Sequence, residues 1–169
     1  MTTDPSAHDA GLCQACGCCC DGTFFARCRL EPAEVDLARR TGLRLAEDAE
    51  SAMSLQPCVR HGGDHCAIYL DRPIACAIYS CSLLERFERG EVSEPEALAL
   101  IAQIREQASA LRVALHADAT PLLRACDAFV ARTDTADERQ AHGELLLRVL
   151  TFVHAARKHF GVRAGEVMS

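Results

Sequence analysis

Where the cysteines fall constrains this chain more than any other feature: ten of the 11 lie between Cys13 and Cys81. An odd total of 11 thiols, most of them in so short a stretch, does not read as a disulfide framework. In a reducing compartment such a set points to metal binding or catalysis. A cytoplasmic protein is the expectation, because Met1 to Leu12 carries Asp4, His8 and Asp9 and lacks the apolar run of a signal peptide. No stretch approaches the roughly 20 apolar residues of a membrane span. The lone outlier, Cys126, falls on a helical apolar face and reads as a small buried hydrophobe.

The first cysteine block runs Cys13-Gln14-Ala15-Cys16-Gly17-Cys18-Cys19-Cys20 and contains a C-x2-C-x2-C-C pattern at Cys13, Cys16, Cys19 and Cys20. An x2 spacing lets the chain wrap a metal so that two sulfurs reach it while backbone N–H groups point at them. Gly17 permits the backbone angles that so tight a wrap needs. The second block supplies Pro57-Cys58, then Cys66 to Tyr69, then Arg72-Pro73-Ile74-Ala75-Cys76 with Tyr79 close behind. Neither block need complete a coordination shell alone, but together they can. Metal binding would then contribute folding free energy to a segment with few apolar residues.

These residues resemble the YkgJ-like cysteine-cluster family, a zinc- or iron-chelating domain with a CxxCxxCC signature. The likeness is carried by Cys13, Cys16, Cys19 and Cys20, then by Cys58, Cys66, the Arg72-Pro73 pair, Cys76 and Tyr79, and it spans residues 13–82. It implies metal or iron–sulfur binding through those seven cysteines, with Arg72 and Tyr79 beside the cofactor, and no settled reaction. Cys18, Cys28 and Cys81 are extra to the pattern, and the C-terminal helices fall outside it.

The residues leave the metal open between zinc and an iron–sulfur cluster. Four-cysteine zinc sites usually combine two distant C-x2-C knuckles, and only one is clear here. Cys13, Cys16 and Cys19 fit the C-x2-C-x2-C run of bacterial ferredoxins, with Cys58 or Cys76, each near a proline, as the fourth ligand. Seven candidates exceed the four that one zinc or one cubane takes, so there are two sites or some thiols are spare. Adjacent Cys19 and Cys20 project in different directions, which favours a bridge or separate sites over one shared ion. His61 and His65 read first as a polar surface loop, with an imidazole ligand as the alternative. Tyr69 and Tyr79 read as packing around the site, and Arg72 as a donor to ligand sulfur or a surface charge.

Three functions are compatible with such a centre. One is a metal-binding protein with a redox or electron-handling iron–sulfur site. The second is a structural zinc module whose C-terminal helices bind a partner protein. The third is a chaperone for a soft ion such as Cu(I). Other reaction classes lack their marks: there is no Gly-rich phosphate loop, no G-x-S-x-G and no H-E-x-x-H. The C-x3-C spacing of Cys16 and Cys20 does not extend to a radical-SAM motif, because residue 23 is Thr. Lys+Arg 18 against Asp+Glu 24 gives a net charge of -6, which argues against a nucleic-acid partner.

The architecture expected is mainly α: a small irregular, metal-stapled N-terminal half over residues 13–82, packed on a C-terminal antiparallel helical bundle. Residues 1–12 read as a disordered tail. Glu31 to Thr41 reads as a short helix stopped by Gly42, and a further short helix is expected from Pro73. The bundle spans 93–163. Its first helix opens on the capping box Ser93 to Glu96 and carries Ala97, Ile101, Ile104, Ala108, Leu111 and Leu115 at helical spacing. Thr120-Pro121 opens the second, with Leu122, Cys126 and Phe129 on one face. A third begins at the Thr135 and Glu138 box and carries Leu145, Val149, Phe152, Ala156 and Phe160.

Overall fold

The structure, a computed structural model, describes residues 6–47, 51–63, 65–118, 120–163, 165 and 167–168. It is mainly helical with one small sheet. Helix α1 spans Ser6–Cys16, so the segment read as a disordered tail is helical from Ser6; residues 1–5 lie outside the described residues. Eleven residues are too few to hold a helix on propensity alone. Tertiary contact holds this one: Leu12 is buried, and the Arg105 guanidinium donates to the Ala15 carbonyl (2.5 Å) in its last turn.

Strand β1, Arg27–Leu30, is an element the sequence pattern did not reveal. Arg27 and Arg29 face solvent while Cys28 and Leu30 are buried, the period-two alternation of a half-buried strand. A 3-10 turn at Pro32–Glu34 leads into α2, Val35–Arg40, where Gly42 follows in the left-handed region (φ 73°), as its place after a helix predicts. Strands β2, Leu45–Glu47, and β3, Ala52–Leu55, complete an antiparallel sheet in the order β1-β3-β2, with Cys28 opposite Ser54 and Ala46 opposite Met53. The free edge of β1 is covered by the C-terminal segment, where Arg29 N–H donates to the Met168 carbonyl (2.8 Å). Helix α3, Ile74–Ile78, follows Pro73 as expected, and α4, Ser82–Glu88, follows Cys81.

The bundle forms much as its spacing predicts. Helix α5, Glu94–Leu115, buries Ala97, Ile101, Ile104, Ala108 and Leu111, and the Glu96 carboxylate accepts from the Ser93 N–H (2.9 Å) and hydroxyl (2.6 Å). Helix α6, Leu122–Arg132, buries Leu122, Leu123, Cys126 and Phe129, so Cys126 is the small core residue its position implies. The expected third helix is broken in two. The Thr135 and Glu138 box starts α7, Ala136–Ala141, and α8, Gly143–Ala155, begins only after His142 leaves helical geometry. The ring of His142 lies edge-on to Phe129 (centroids 6.0 Å), and Gly143 comes directly after it. Helix α8 ends in a π-helical turn, Ala156–Phe160.

Helices α5, α6 and α8 pack on one another around Val149 and Phe152. Their core runs without a break into the cysteine-rich half through Leu12, Cys18, Phe24, Phe25, Cys28 and Leu83. Phe24 packs against Phe160 and Phe25 meets Tyr79 edge-on, each pair with centroids 5.1 Å apart. A second, smaller cluster of Leu30, Ala38 and Leu43 lies under the sheet. Among the described residues no helix is long and apolar enough to cross a membrane.

Candidate metal centre

The first cysteine block is shaped by the end of α1. Cys13 and Cys16 stand one helical turn apart, and Gly17 stops the helix at φ 64°, donating its N–H to the Cys13 carbonyl (3.0 Å). The Gly17 carbonyl then accepts from Cys20 (2.8 Å) and Asp21 (2.9 Å), folding Cys18, Cys19 and Cys20 into a tight turn. A side chain at Gly17 has no room, because a Cβ there would stand 2.6 Å from His61 Nε2. The bundle anchors residues 21–23, just beyond this turn. Arg112 on α5 donates to the Asp21 carbonyl (2.9 Å) and to Thr23 Oγ1 (3.1 Å). The Leu122 N–H, an otherwise orphaned donor of the first turn of α6, donates to the Gly22 carbonyl (2.9 Å).

The second block is fastened to the first through the backbone, where Cys58 N–H donates to the Cys20 carbonyl (2.7 Å). His61 and Cys66 then pair as an antiparallel bridge closed by the Gly62 N–H to the His65 carbonyl (2.9 Å), so Cys58, His61, His65 and Cys66 sit on one tight loop. Helix α3 brings Cys76 beside Cys28 of β1, with sulfurs 3.4 Å apart. Glu34 holds that helix in place by accepting from the Ile74 N–H (2.6 Å). Arg72 lies over the ring of Tyr69 (3.7 Å to the centroid) and donates to the Tyr69 carbonyl (2.6 Å), so its guanidinium is engaged there.

These segments enclose two adjoining cavities. The first, about 100 Å³, is lined by Cys13, Cys16, Cys18, Cys19, Cys20, Cys76 and Cys81, with Tyr79, Leu12, Phe24 and Phe160 among its apolar walls. The second, about 150 Å³, is lined by Cys13, Cys20, Cys58, Cys66 and Cys76 together with His61, His65, Arg72 and Tyr79. All seven cysteines singled out in the sequence therefore reach one cavity or both, as do Arg72 and Tyr79. Cys81, extra to the sequence pattern, lines the first, and Cys28 meets Cys76. The thiols surround space rather than meet at a point: among the described residues no group of three or more Cys, His, Asp or Glu side chains is arranged to hold a single metal ion.

Three sulfurs are approached by backbone N–H groups from residues just beyond them: Cys16 by Cys18, Cys58 by Arg60 and His61, and Cys81 by Leu84 and Leu83. Such donors favour thiolate over thiol, and hydrogen bonds to sulfur are one of the levers that set cluster potential. Burial acts the other way. It pushes Cys19 well above the usual thiol range, with the neighbouring charges of Cys16 and Cys81 adding to it. Burial, then Cys58 and Cys66, push Cys20 up to about 12. Cys16 is lowered, chiefly by a hydrogen bond from the Cys18 thiol, which keeps its own proton in return. A group of thiols that raise one another's pKa and share walled space is what a bound cation would relieve, because coordination deprotonates thiols outright.

The donor set fits a soft metal or an iron–sulfur cluster. It is almost entirely sulfur, and the glycine cradle at Gly17 and the aimed N–H groups suit thiolate ligands. Cys18 and Cys28 are extra to the sequence pattern. Full burial distinguishes them in the fold, where Cys18 lies against Cys16 and Cys28 against Cys76. Comparison with protein-family models, with curated proteins and with solved structures finds no match to this chain.

Proposed function

We propose that the chain is a metal-binding protein whose N-terminal half holds a cysteine-ligated centre, iron–sulfur in preference to zinc, that handles electrons. The observation that carries this is the convergence of Cys13, Cys16, Cys19, Cys20, Cys58, Cys66 and Cys76 on two adjoining cavities from segments far apart in sequence. The resemblance to the YkgJ-like cysteine-cluster family belongs to the same proposal, and it rests on motif spacing. Iron–sulfur is preferred over zinc because the sulfurs leave room between them. Four ligands about 2.3 Å from one zinc ion leave none.

When bound, a cluster supplies one-electron chemistry. The residues of this chain position and insulate it: Tyr79 and Phe24 wall the first cavity, and N–H groups are aimed at Cys16 and Cys81. The test is anaerobic purification followed by a visible spectrum with iron, zinc and sulfide analysis of one sample. Broad visible absorbance with iron and acid-labile sulfide is expected.

A second reading, a structural zinc module that presents the helices to a partner protein, is favoured by Leu147 and Leu150, which stand exposed on α8. Colourless protein with stoichiometric zinc would select it and end the electron-handling reading.

A further inference from the structure

The two cavities divide the thiols unequally. Cys16, Cys18, Cys19 and Cys81 reach only the first, and Cys58 and Cys66 only the second; Cys18 is fully buried behind Cys16, to which it is hydrogen-bonded. Cys13, Cys20 and Cys76 stand at the wall they share. The backbone assigns these three. Cys13 is one turn from Cys16 on α1, so it belongs with the first group. Cys20 accepts the Cys58 N–H through its carbonyl (2.7 Å), which fastens it to the second block. Cys76 is carried by α3, directly after Arg72 and Pro73 of the second cavity, and its thiol is flanked by Cys20 and Cys58.

We propose that the chain holds two separate four-thiolate iron–sulfur centres side by side, one on Cys13, Cys16, Cys19 and Cys81 and the other on Cys20, Cys58, Cys66 and Cys76. This rests on the metal-binding reading above and adds the number of centres, their ligands and a place for Cys81. Four sulfurs per centre is the complement of a cubane. In two-cluster ferredoxins the fourth cysteine of the run ligates the other cluster. Here that cysteine, Cys20, follows the third directly, and neighbouring side chains leave the backbone in different directions. Adjacent Cys19 and Cys20 thus join the two centres through one peptide bond.

The remaining thiols of the region each lie beside one member of a set. Cys18 and Cys28 are fully buried, and each is hydrogen-bonded to one ligand, Cys18 to Cys16 in the first set and Cys28 to Cys76 in the second (3.4 Å). Cys18 donates to Cys16, whereas Cys28 receives the hydrogen bond of Cys76, and neither is counted as a ligand in this assignment.

The test is anaerobic reconstitution of the full chain with ferrous iron and sulfide, with iron and sulfide counted per chain and the reduced protein examined by electron paramagnetic resonance. About eight irons and eight sulfides are expected, with signals from two interacting clusters. Cys81→Ser and Cys66→Ser should each halve the iron content and leave different residual signals, one from each centre. Circular dichroism checks that each variant keeps its helices. About four irons in the native chain, or loss of all iron in either folded variant, overturns the two-centre proposal and leaves a single metal centre standing. No iron uptake by the native chain overturns both.

Discussion

Gly17 shows how much the candidate centre asks of one position. Its φ of 64° ends α1, its carbonyl collects two N–H groups of the cysteine turn, and the ring of His61 lies where a Cβ would go. Gly17→Ala should cost about 2–4 kcal/mol, from the left-handed backbone and the displaced imidazole together. Denaturant unfolding of the native and variant chains measures it. A cost under about 0.5 kcal/mol, the level of an indifferent surface site, would show that the turn is not so tightly set.

Thiol protonation makes a second prediction at this scale. Cys20 titrates near 12 in the folded metal-free chain, raised first by burial and then by Cys58 and Cys66, against about 8.5 when unfolded. A raised folded value contributes stability that is fully present below about 8.5 and is lost as pH climbs toward 12. The metal-free chain should therefore melt at progressively lower temperature from about pH 8.5 upward. Thermal melts across that range check the sign. Cys126, also near 12 but buried in the bundle, adds to the same loss. Metal uptake has the opposite dependence, because it expels these protons, and affinity should rise about tenfold per pH unit for each proton released.

Among elements, α5 ties the two halves together. Arg105 and Arg112, two turns apart, reach from it to Ala15 and to the Asp21 and Thr23 loop. Arg112→Ala should destabilise the chain by about 1.5–3 kcal/mol through lost charged hydrogen bonds. Arg139→Ala, whose ion pair with Asp134 is largely exposed, should change stability by less than about 0.5 kcal/mol. Equal effects in chemical unfolding would refute this role for Arg112.

The legibility of elements followed the length of their pattern. Helix α5 has five buried positions in register over 22 residues, and its seam is plain. Strand β1 alternates over only four residues, and a run of Arg27, Cys28 and Arg29 looks like solvated charge until a partner strand is known. The break at His142 was hidden because Leu145 to Phe160 keeps helical spacing on its own. At the site, spacing found the cysteines that lie close in sequence to a motif. It did not find Cys81, which joins Cys16 and Cys19 only because α1 packs against α4.

In the molecule as a whole, the proposed metal would share with apolar side chains the task of holding the fold. The bundle buries Ile104, Leu111, Leu122, Val149 and Phe152, and side chains of this size contribute about 1.5–3 kcal/mol each when removed from water. The cluster under the sheet has only Leu30, Ala38 and Leu43. If the proposed metal is bound, stripping it should loosen residues 13–82 before the bundle. Hydrogen exchange after chelation should quicken in β1, β3 and α3, while α5 and α8 keep their protection. Simultaneous loss of both halves would mean that the continuous core of Leu12, Phe24 and Phe160 couples them into one cooperative unit.

The proposed centre requires that cysteine sulfur holds a metal in these cavities. X-ray absorption at the iron and zinc edges of the anaerobically purified chain reads it most directly. Sulfur alone in the coordination shell, at about 2.3 Å if the metal is zinc and with iron–iron scattering if it is a cluster, is the result predicted. A shell of oxygen and nitrogen, or no metal retained after desalting, would contradict it.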